Sequence, residues 1–408
     1  MAYGIDALNI YAGVAHITVA DLFAGRELDP SRLANLAMRE KSVGLPVEDS
    51  VTNAVNAARP ILEALSPADR ESIELLVTAT ESGVDLSKTV ASYVHRYLEL
   101  PRNCRVFETK QACYAATGAV QLATGYLASQ ASPGAKALVI ATDVALVDER
   151  AQYAEPATGH GAVAILLGED PDILAVDHGA FGCYSHEVLD SARPTPTFDI
   201  ADVDTSLFTY LDGLAASYDD YCDRVAEVDF TTTFGHLAFH TPFAGLVRAA
   251  HRKLMRERTR TPADKIDADF DDRVAPSLIY PASTGNLCSG SVYLALASLL
   301  DHVDISAPTR VGLYSYGSGC SAEFFSGLVT PRSVRRMAEF EVGRRLRERT
   351  RLDYDEYLQL LSSARTVLEP RADHSVDVEP YRHLFTHRRS PFLAYTGSRH
   401  HHRQYRWY

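Results

Sequence analysis

The sequence lacks any run of about 18 apolar residues, which is the minimum for a helix that crosses a membrane. Its first 20 residues carry an acidic side chain, Asp6, and no long apolar stretch, so we expect no secretory signal peptide. The six cysteines include no C-x-x-C pair, which disfavours both a disulfide framework and zinc. Together these absences predict a protein of the reducing cytoplasm, without membrane contact and without a bound metal.

A strongly basic surface is also missing, since the formal net charge is -13 at neutral pH. Nucleic acid binding needs clustered positive charge against phosphates, so we exclude nucleic acid as the main partner. The 408 residues are 46% hydrophobic and 23% charged, which is typical of a globular protein with a sizeable core. A chain of this length holds two domains or one large duplicated domain.

Apolar runs typical of strands alternate along the chain with segments typical of helices. The predicted strands are 73–80, 106–109, 137–142, 162–167, 237–239 and 311–316. The predicted helices are a short one capped at Asp29 and running to residue 39, then 49–65, 89–98, 114–128 and 287–300. This alternation predicts an α/β fold with a parallel sheet covered on both faces.

Two helix-opening segments resemble each other, because 113–128 and 286–300 both pass through small residues into an apolar stripe. This similarity indicates an internal duplication. An acidic, proline-containing segment at 169–171 marks the seam between the copies. We therefore predict two halves, 1–170 and 171–408.

Cys113 lies at a predicted turn from a strand into a helix, in the sequence ETKQACYAATG of residues 108–118. A thiol at the positive end of a helix is favoured as the thiolate, the form that acts as a nucleophile. A buried core cysteine is the alternative interpretation, and it is the commoner fate of a single cysteine. This stretch alone leaves the two interpretations open.

Two further reactive side chains, Glu81 and His240, follow predicted strands, and the carboxyl ends of parallel strands converge on one crevice. A cysteine, a carboxylate and an imidazole suit acyl transfer with carbon–carbon bond formation. Cysteine and histidine with Asn286 would instead suggest decarboxylative condensation or proteolysis. Asn286 could supply an amide to a developing oxyanion, or could simply cap the following helix. Glu81 and His240 likewise have structural alternatives, a cap and a core histidine.

Several motifs in this order resemble those of the hydroxymethylglutaryl-CoA synthase family. They are TESGVD at 80–85, ETKQACYAAT at 108–117, TG at 158–159, FHTPF at 239–243, GN at 285–286, YGSG at 316–319 and HRQY at 402–405. The resemblance covers nearly the whole chain. It implies the thiolase fold, a duplicated five-layered αβαβα architecture, and a homodimer.

The resemblance also implies roles for individual residues. Cys113 would carry the acyl group, Glu81 would be the general acid and base, and His240 would bind the acceptor. Asn286, Ser318, Thr158 and Asp190 would contact or organise the substrates, although Asp190 could equally lie on the surface. Cys320 is better interpreted as a buried structural thiol than as a second catalytic cysteine.

Two departures from the CoA-using enzymes point to a subfamily. Cys288 follows Gly285-Asn286 where those enzymes tend to carry an aromatic residue, and Arg193 opens a region unlike theirs. Both features resemble synthases that install β-branches on polyketides held by acyl carrier proteins. That likeness implies an acetyl or propionyl group passed from a donor carrier protein to the β-ketone of an intermediate on an acceptor carrier protein. No cofactor is implied beyond the phosphopantetheine that arrives on the carrier.

Two alternative functions remain at this point. One is the mevalonate-pathway enzyme that uses acetyl-CoA and acetoacetyl-CoA, and the other is a noncatalytic subunit that only binds carrier proteins. For carrier docking we predict a basic stripe of Arg248, Arg252 and Arg256, which recur every four residues, with Arg32 beside it. An ordinary solvated helix face is the alternative for this stripe.

Overall fold

The computed structural model describes residues 2–144, 154–259, 261–364, 366–385 and 391–408. The strands are β1 Tyr3–Tyr11, β2 Ala15–Thr18, β3 Glu40–Val43, β4 Ile73–Ala79, β5 Arg105–Thr109, β6 Lys136–Asp143, β7 Gly161–Glu169, β8 Leu174–Ser185, β9 Ser191–Thr195, β10 Phe198–Ala201, β11 His236–Phe239, β12 Thr309–Gly317, β13 Ser321–Val329, β14 Thr350–Arg351, β15 His374–Ser375, β16 Leu393–Arg399 and β17 His402–Trp407. The helices are α1 Val19–Gly25, α2 Leu33–Leu36, α3 Ser50–Ala64, α4 Pro67–Glu71, α5 Val90–Tyr97, α6 Ala115–Ala128, α7 Val203–Arg224, α8 Ala244–Arg258, α9 Ala263–Arg273, α10 Ile279–Ala282, α11 Ser291–His302, α12 Pro331–Ala338, α13 Val342–Arg347 and α14 Tyr354–Ala364.

The central element is a nine-stranded sheet in the order β11-β12-β13-β8-β1-β7-β6-β4-β5. Only β4 with β5, β4 with β6, and β11 with β12 pair in parallel within it. The expectation of a parallel sheet is therefore wrong, because antiparallel strands join the parallel segments. Most of the nine strands are nevertheless buried along nearly their whole length, as expected of a sheet covered on both faces.

The sheet repeats one pattern on its two sides. In the first half β4 runs parallel to β6, and β7 and β1 follow antiparallel; in the second half β11 runs parallel to β12, and β13 and β8 follow antiparallel. The halves meet where β1 pairs with β8 through only two register pairs, Gly4 with Ala175 and Ile5 with Leu174. This repeated topology supports an internal duplication, while the division at residues 170 and 171 stays a prediction.

The corresponding helices of the two halves contact each other. Helix α6 leads from β5 to β6, and α11 leads into β12. The Tyr293 hydroxyl on α11 donates to the Thr117 hydroxyl on α6 at 3.2 Å. When the strand pairings are followed from β11 to β4, the two strands prove to run in opposite directions. Their carboxyl ends therefore lie at opposite edges of the sheet, not at one shared edge as the sequence predicted. The Tyr293–Thr117 hydrogen bond and the contact of α6 with the 3-10 turn at Cys288–Gly290 link the two halves here instead.

Two predicted helix boundaries are wrong for the same physical reason. The helix expected to reach residue 39 ends at Leu36, because Ala37 adopts a left-handed conformation with φ of 55°. The helix expected from residue 287 begins at Ser291, after a short 3-10 turn at Cys288–Gly290 in which Cys288 has φ of 47°. Neither residue is a glycine, so the sequence carried no signal for either break.

Within the described part of the chain, the helices are too short or too polar to pass through a lipid bilayer.

Candidate active site

Three reactive side chains from distant parts of the chain meet at one point. The sulfur atoms of Cys113 and Cys288 and a carboxylate oxygen of Glu81 all lie within 4.8 Å of one another. The Cys288 thiol donates to Glu81 Oε1 at 3.7 Å. Glu81 follows β4, Cys113 precedes α6 and Cys288 precedes α11, so the cluster lies where the two halves meet.

Cys113 is held in a tight turn before α6. The backbone N–H of Tyr114 donates a hydrogen bond to the backbone carbonyl of Gln111 at 3.0 Å. Gly317, at the end of β12, packs directly against this turn: a Cβ there would lie 2.5 Å from Tyr114 N and 2.6 Å from Gln111 O. The missing side chain of Gly317 thus allows the second half to approach the cysteine.

The pKa of the Cys113 thiol is raised above its ordinary value. The hydrogen bond with Cys288 lowers it, but burial and the negative charges of Glu81 and Asp143 outweigh that bond. The expectation that the helix end would favour the thiolate is therefore wrong for this environment. The raised pKa favours the protonated thiol of Cys113 over the thiolate.

Glu81 contacts the guanidinium of Arg193, with 3.4 Å between Oε1 and Nη2. Arg193 lies on β9, and its position is fixed by hydrogen bonds from Nε and Nη2 to the Asp199 carboxylate at 2.7 and 3.2 Å. Its Nη1 also donates to the Ser82 hydroxyl at 2.9 Å. The β9–β10 hairpin therefore places a fixed positive charge beside Glu81.

Asp143, at the end of β6, holds the backbone of the Glu81 segment. Its Oδ1 accepts hydrogen bonds from the Thr80 hydroxyl, the Glu81 N–H and the Ser82 hydroxyl, each at 3.0 Å. Burial, followed by the charge of Glu81, raises the pKa of Asp143 to about 8. The Asp143 carboxyl therefore loses its proton less readily than an ordinary aspartate, and it fixes the Glu81 segment beside the thiols.

The Asn286 side chain faces Cys113, and its hydrogen bond lowers the pKa of that thiol in opposition to burial. Its Oδ1 accepts from the Ser291 hydroxyl at 2.6 Å, which leaves the amide N–H groups for the sulfur. The backbone of Asn286 pairs with Thr158. Asn286 lies five residues before α11, whose N-cap is Gly290, so the interpretation as a helix cap is wrong.

His240 follows β11 in the second half, just as Glu81 follows β4 in the first. Burial lowers the pKa of its imidazole to about 3, so the ring is neutral at physiological pH. Its Nδ1 has no hydrogen-bond partner among the described residues. The ring lies 6.5 Å from that of Tyr316, which immediately precedes the Gly317 contact with the cysteine turn.

Asp190 is fully buried and organises the loop that follows β12. Its Oδ2 accepts from the Tyr316 hydroxyl at 2.6 Å, and its Oδ1 accepts from the Gly319 N–H at 2.9 Å. The Ser318 carbonyl accepts from the Gln111 side chain at 3.5 Å. Asp190 therefore does not lie on the surface, and it contacts residues around His240 and the cysteine turn rather than Cys113 itself.

The Thr158 hydroxyl makes hydrogen bonds away from the cysteine. It donates to the Glu155 carbonyl at 2.9 Å and accepts from the buried Lys41 ammonium at 2.9 Å. Its backbone pairs with Asn286. In this structure Thr158 therefore positions Asn286.

Comparison with known proteins identifies the family. Residues 2–172 match the N-terminal part, and residues 256–379 the C-terminal part, of hydroxymethylglutaryl-coenzyme A synthase. The chain is 42% identical over 414 residues to the polyketide biosynthesis 3-hydroxy-3-methylglutaryl-ACP synthase PksG of Bacillus subtilis, covering 99% of each chain. The chain belongs to the hydroxymethylglutaryl-CoA synthase family.

Two other proteins extend this comparison. The hydroxymethylglutaryl synthase of the curacin biosynthetic pathway, solved in complex with acetyl donor-ACP, superposes with a TM-score of 0.97 at 42% identity over the whole of both chains. The hydroxymethylglutaryl-CoA synthase of Enterococcus faecalis is 34% identical over 330 residues, covering 80% of this chain and 83% of the relative. The expected thiolase fold and the expected class of condensing acyltransferase are confirmed.

The predicted docking stripe of this synthase lies on α8. Arg248 is engaged, since it pairs with Asp271 at 3.0 Å and covers the Phe270 ring at 4.7 Å. Arg252 and Arg256 are exposed and form no ion pair among the residues that the structure describes. Helix α2, which follows Arg32, packs against α8. Of the three arginines on α8, Arg252 and Arg256 are therefore the ones whose charge no ion pair offsets in the part of the chain that the structure describes.

The sequence alone did not place three residues of this site, Asp143, Cys288 and Arg193, beside Glu81. Asp143 follows a buried strand just as Glu81 does, so the same signal could have found it. Cys288 and Arg193 were noted only as departures from the CoA-using enzymes. No local pattern places them beside Glu81, because tertiary packing alone brings the β9–β10 hairpin and the turn before α11 to that point.

Proposed function

We propose that this synthase adds a β-branch to polyketide intermediates carried by acyl carrier proteins. The observation that carries the proposal is the whole-chain similarity to a polyketide ACP synthase and to the curacin enzyme, both at 42% identity. The CoA synthase from Enterococcus faecalis is less similar, at 34%. The site supplies a nucleophile, a carboxylate base and an amide donor, which are the groups that the reaction needs.

The first step is acyl loading on Cys113. The Cys113 sulfur attacks the carbonyl carbon of the donor thioester, the bond to the phosphopantetheine sulfur breaks, and that sulfur leaves with the thiol proton. Amide N–H groups of Asn286, which point toward the cysteine, stabilise negative charge at the attacked carbonyl oxygen. Removing one such donor typically costs on the order of a hundredfold in rate.

The second step forms the carbon–carbon bond. The Glu81 carboxylate removes a proton from the α-carbon of the acyl group, and the resulting carbanion adds to the β-ketone of the acceptor. The alkoxide that forms takes a proton from the Glu81 carboxyl. The neutral imidazole of His240 donates one N–H hydrogen bond to the ketone oxygen of the acceptor substrate. Water then hydrolyses the thioester and frees Cys113.

The decisive experiment is intact-mass analysis after incubation with acyl carrier protein and acyl-CoA donors separately. We expect the mass of one acyl group on the wild type, acquired faster from the carrier protein, and none on Cys113→Ala. Cys183→Ser, which removes an exposed thiol on β8, is the matched control and should load normally. Stoichiometric loading of Cys113→Ala would refute the nucleophile, and faster loading from CoA would favour the mevalonate-pathway activity.

We propose that donor and acceptor carrier proteins dock on the stripe of Arg32, Arg248, Arg252 and Arg256. Carrier proteins are acidic, so exposed positive charge would steer their approach despite the net charge of -13. Because Arg248 is engaged by Asp271, Arg252→Glu with Arg256→Glu should slow loading from the carrier more than Arg248→Glu does.

The loss should be largest at low salt and absent with a small acyl-pantetheine thioester as donor. An equal loss with both donors would mean that α8 was disrupted. Normal loading from the carrier by the double variant would place the docking surface elsewhere.

We also propose a cytoplasmic homodimer that needs no cofactor other than the phosphopantetheine arm of its carriers, with halves at 1–170 and 171–408. Membranes and nucleic acids are not among the proposed partners. Light scattering of the purified chain tests the dimer, since a monomeric mass at micromolar concentration would contradict it.

A further inference from the structure

The catalytic cluster contains one more reactive group than the condensation uses. Acyl transfer needs Cys113 and Glu81, yet a second thiol, Cys288, completes a triangle with them. All three residues are partly buried. Among the described residues this is the only group of three or more acidic, cysteine or histidine side chains arranged closely enough to share an ion.

The ligand types in this cluster match a thiophilic divalent cation. Two thiolates and a carboxylate are ligands that Zn²⁺ and similar soft cations accept, with an open fourth position for water. Tetrahedral zinc, with Zn–S of about 2.3 Å and Zn–O of about 2.1 Å, separates its ligand atoms by roughly 3.5–3.8 Å.

The geometry of the cluster is close to these values. Cys288 Sγ and Glu81 Oε1 are 3.7 Å apart, and no pair of the three ligand atoms exceeds 4.8 Å. Side-chain rotations that move an atom by about 1 Å would therefore complete the site. Such rotations require no rearrangement of the backbone.

Among the described residues, the cluster is flanked by a buried carboxyl group, Asp143, and by one cation, Arg193. Asp143 is 2% exposed, and its Oδ2 has no hydrogen-bond partner among the described residues. Arg193 is the cation beside Glu81, but its Nε and Nη2 are engaged by Asp199, and its contact with Glu81 is the longer one at 3.4 Å. Glu81 Oε1 makes both this contact and the one with the Cys288 thiol, so a cation at the thiols would share Oε1 with Arg193 or bind Oε2.

We propose that Cys113, Cys288 and Glu81 form an inhibitory site for a thiophilic divalent cation of the Zn²⁺ type. The cation displaces the protons of Cys113 and Cys288 to solvent and binds the two sulfurs together with the Glu81 carboxylate, so it occupies the sulfur that would carry the acyl group and the carboxylate that would move the proton. Metal binding and acyl loading are therefore mutually exclusive. The proposal concerns binding to the resting enzyme and assigns the metal no part in the condensation.

The test uses the full-length, reduced and metal-free protein. Cd²⁺ is titrated while the ultraviolet thiolate-to-metal charge-transfer band is followed, and Zn²⁺ affinity and stoichiometry are measured by calorimetry. We expect one cation to bind per chain. Cys288→Ser and Cys113→Ala should each weaken the charge-transfer band and should each lower the affinity for Zn²⁺ by at least about tenfold. Cys183→Ser removes an exposed thiol outside the cluster and should keep the wild-type affinity.

A second measurement needs no condensation activity. Zn²⁺ should slow alkylation of Cys113 by iodoacetamide in the wild type, and should slow it much less in Cys288→Ser at the same free Zn²⁺. The proposal is overturned if no 1:1 binding occurs, if Cys288→Ser binds as tightly as the wild type, or if Cys183→Ser loses affinity equally. Since none of these readouts involves an acyl donor, failure of the metal site leaves the proposed function untouched.

Discussion

Replacing the carboxylate of Glu81 by an amide should make Cys113 more reactive toward a neutral alkylating agent. The thiolate is the reactive form, and the negative charge of Glu81 raises the pKa of this thiol. In Glu81→Gln that repulsion is gone, and Arg193, which keeps its place beside Asp199, favours the thiolate further. The substitution that should abolish proton transfer in condensation should therefore accelerate a simpler reaction of the nucleophile.

The size of the effect follows from the separation of the two groups. Two negative unit charges 4.8 Å apart, the upper limit in this cluster, repel each other by about 0.9 kcal/mol in bulk water and about 3.5 kcal/mol at an effective dielectric constant of 20. These energies correspond to roughly a fourfold to 350-fold change in thiolate population. A thiolate of lower pKa is also less nucleophilic, which leaves a net acceleration of about 2- to 25-fold at neutral pH.

The assay is iodoacetamide alkylation followed by peptide mass spectrometry, which reads Cys113 separately from the other five cysteines. Since its pKa is raised, the wild-type rate should still be rising at about pH 9, and the Gln profile should lie at lower pH. Glu63→Gln, the same charge change on the exposed face of α3, is the control. An equal or slower rate in Glu81→Gln at neutral pH would refute the electrostatic argument and would indicate that Glu81 itself deprotonates the thiol.

Two further predictions concern packing around the site. Gly317→Ala should slow acyl loading by at least about tenfold, because its Cβ would lie 2.5 Å from Tyr114 N and would displace the cysteine turn. Gly125→Ala on α6 is the control, since nothing lies within 4 Å of its Cβ, and should load normally. Asp49→Ala should destabilise the protein by about 4–6 kcal/mol in urea unfolding, because it removes the cap of α3 and leaves the buried Arg403 without its carboxylate at 2.9 Å.

The outcomes that would contradict these two predictions are equally specific. Unchanged loading by Gly317→Ala would mean that the turn before α6 has room that the structure does not show. For Asp49, the comparison is Glu379→Ala, which breaks an exposed pair with Arg382 and should cost no more than about 1 kcal/mol. Equal losses in the two variants would mean that burial of the Asp49 pair is unimportant.

The sequence predicted four strands of the first half, β4, β5, β6 and β7, to within two residues at each end, but it gave no bounds for β1, β2 and β3. The four predicted strands are mainly apolar segments with clear boundaries, and period and length suffice for such segments. Strand direction was not predictable in the same way, because an antiparallel neighbour and a parallel one can carry identical apolar patterns. The mixed sheet is therefore a consequence of connections between strands, which local patterns do not record.

The chemistry of the nucleophile was the part of the site least accessible to sequence reasoning. A cysteine before a helix predicts an acidic thiol, yet the thiol of Cys113 is made less acidic by burial and by two carboxylates. Those carboxylates lie 32 residues before and 30 residues after it in the chain, so no local rule weighs them against the helix end. Only the folded arrangement decides which influence is larger.

The duplicated topology places the candidate residues of the two halves at corresponding positions although their sequence context differs. Glu81 and His240 each follow the strand that pairs in parallel with the central strand of its half, and Cys113 and Asn286 each precede the helix that packs against its counterpart. Two copies of one backbone pattern therefore provide four positions at strand ends and before helices. Each of these positions can carry a different functional group. The two copies therefore carry different residues at these positions: a carboxylate and a thiol in the first half, a neutral imidazole and an amide in the second. The duplication is consequently faint in the sequence and plain in the strand order.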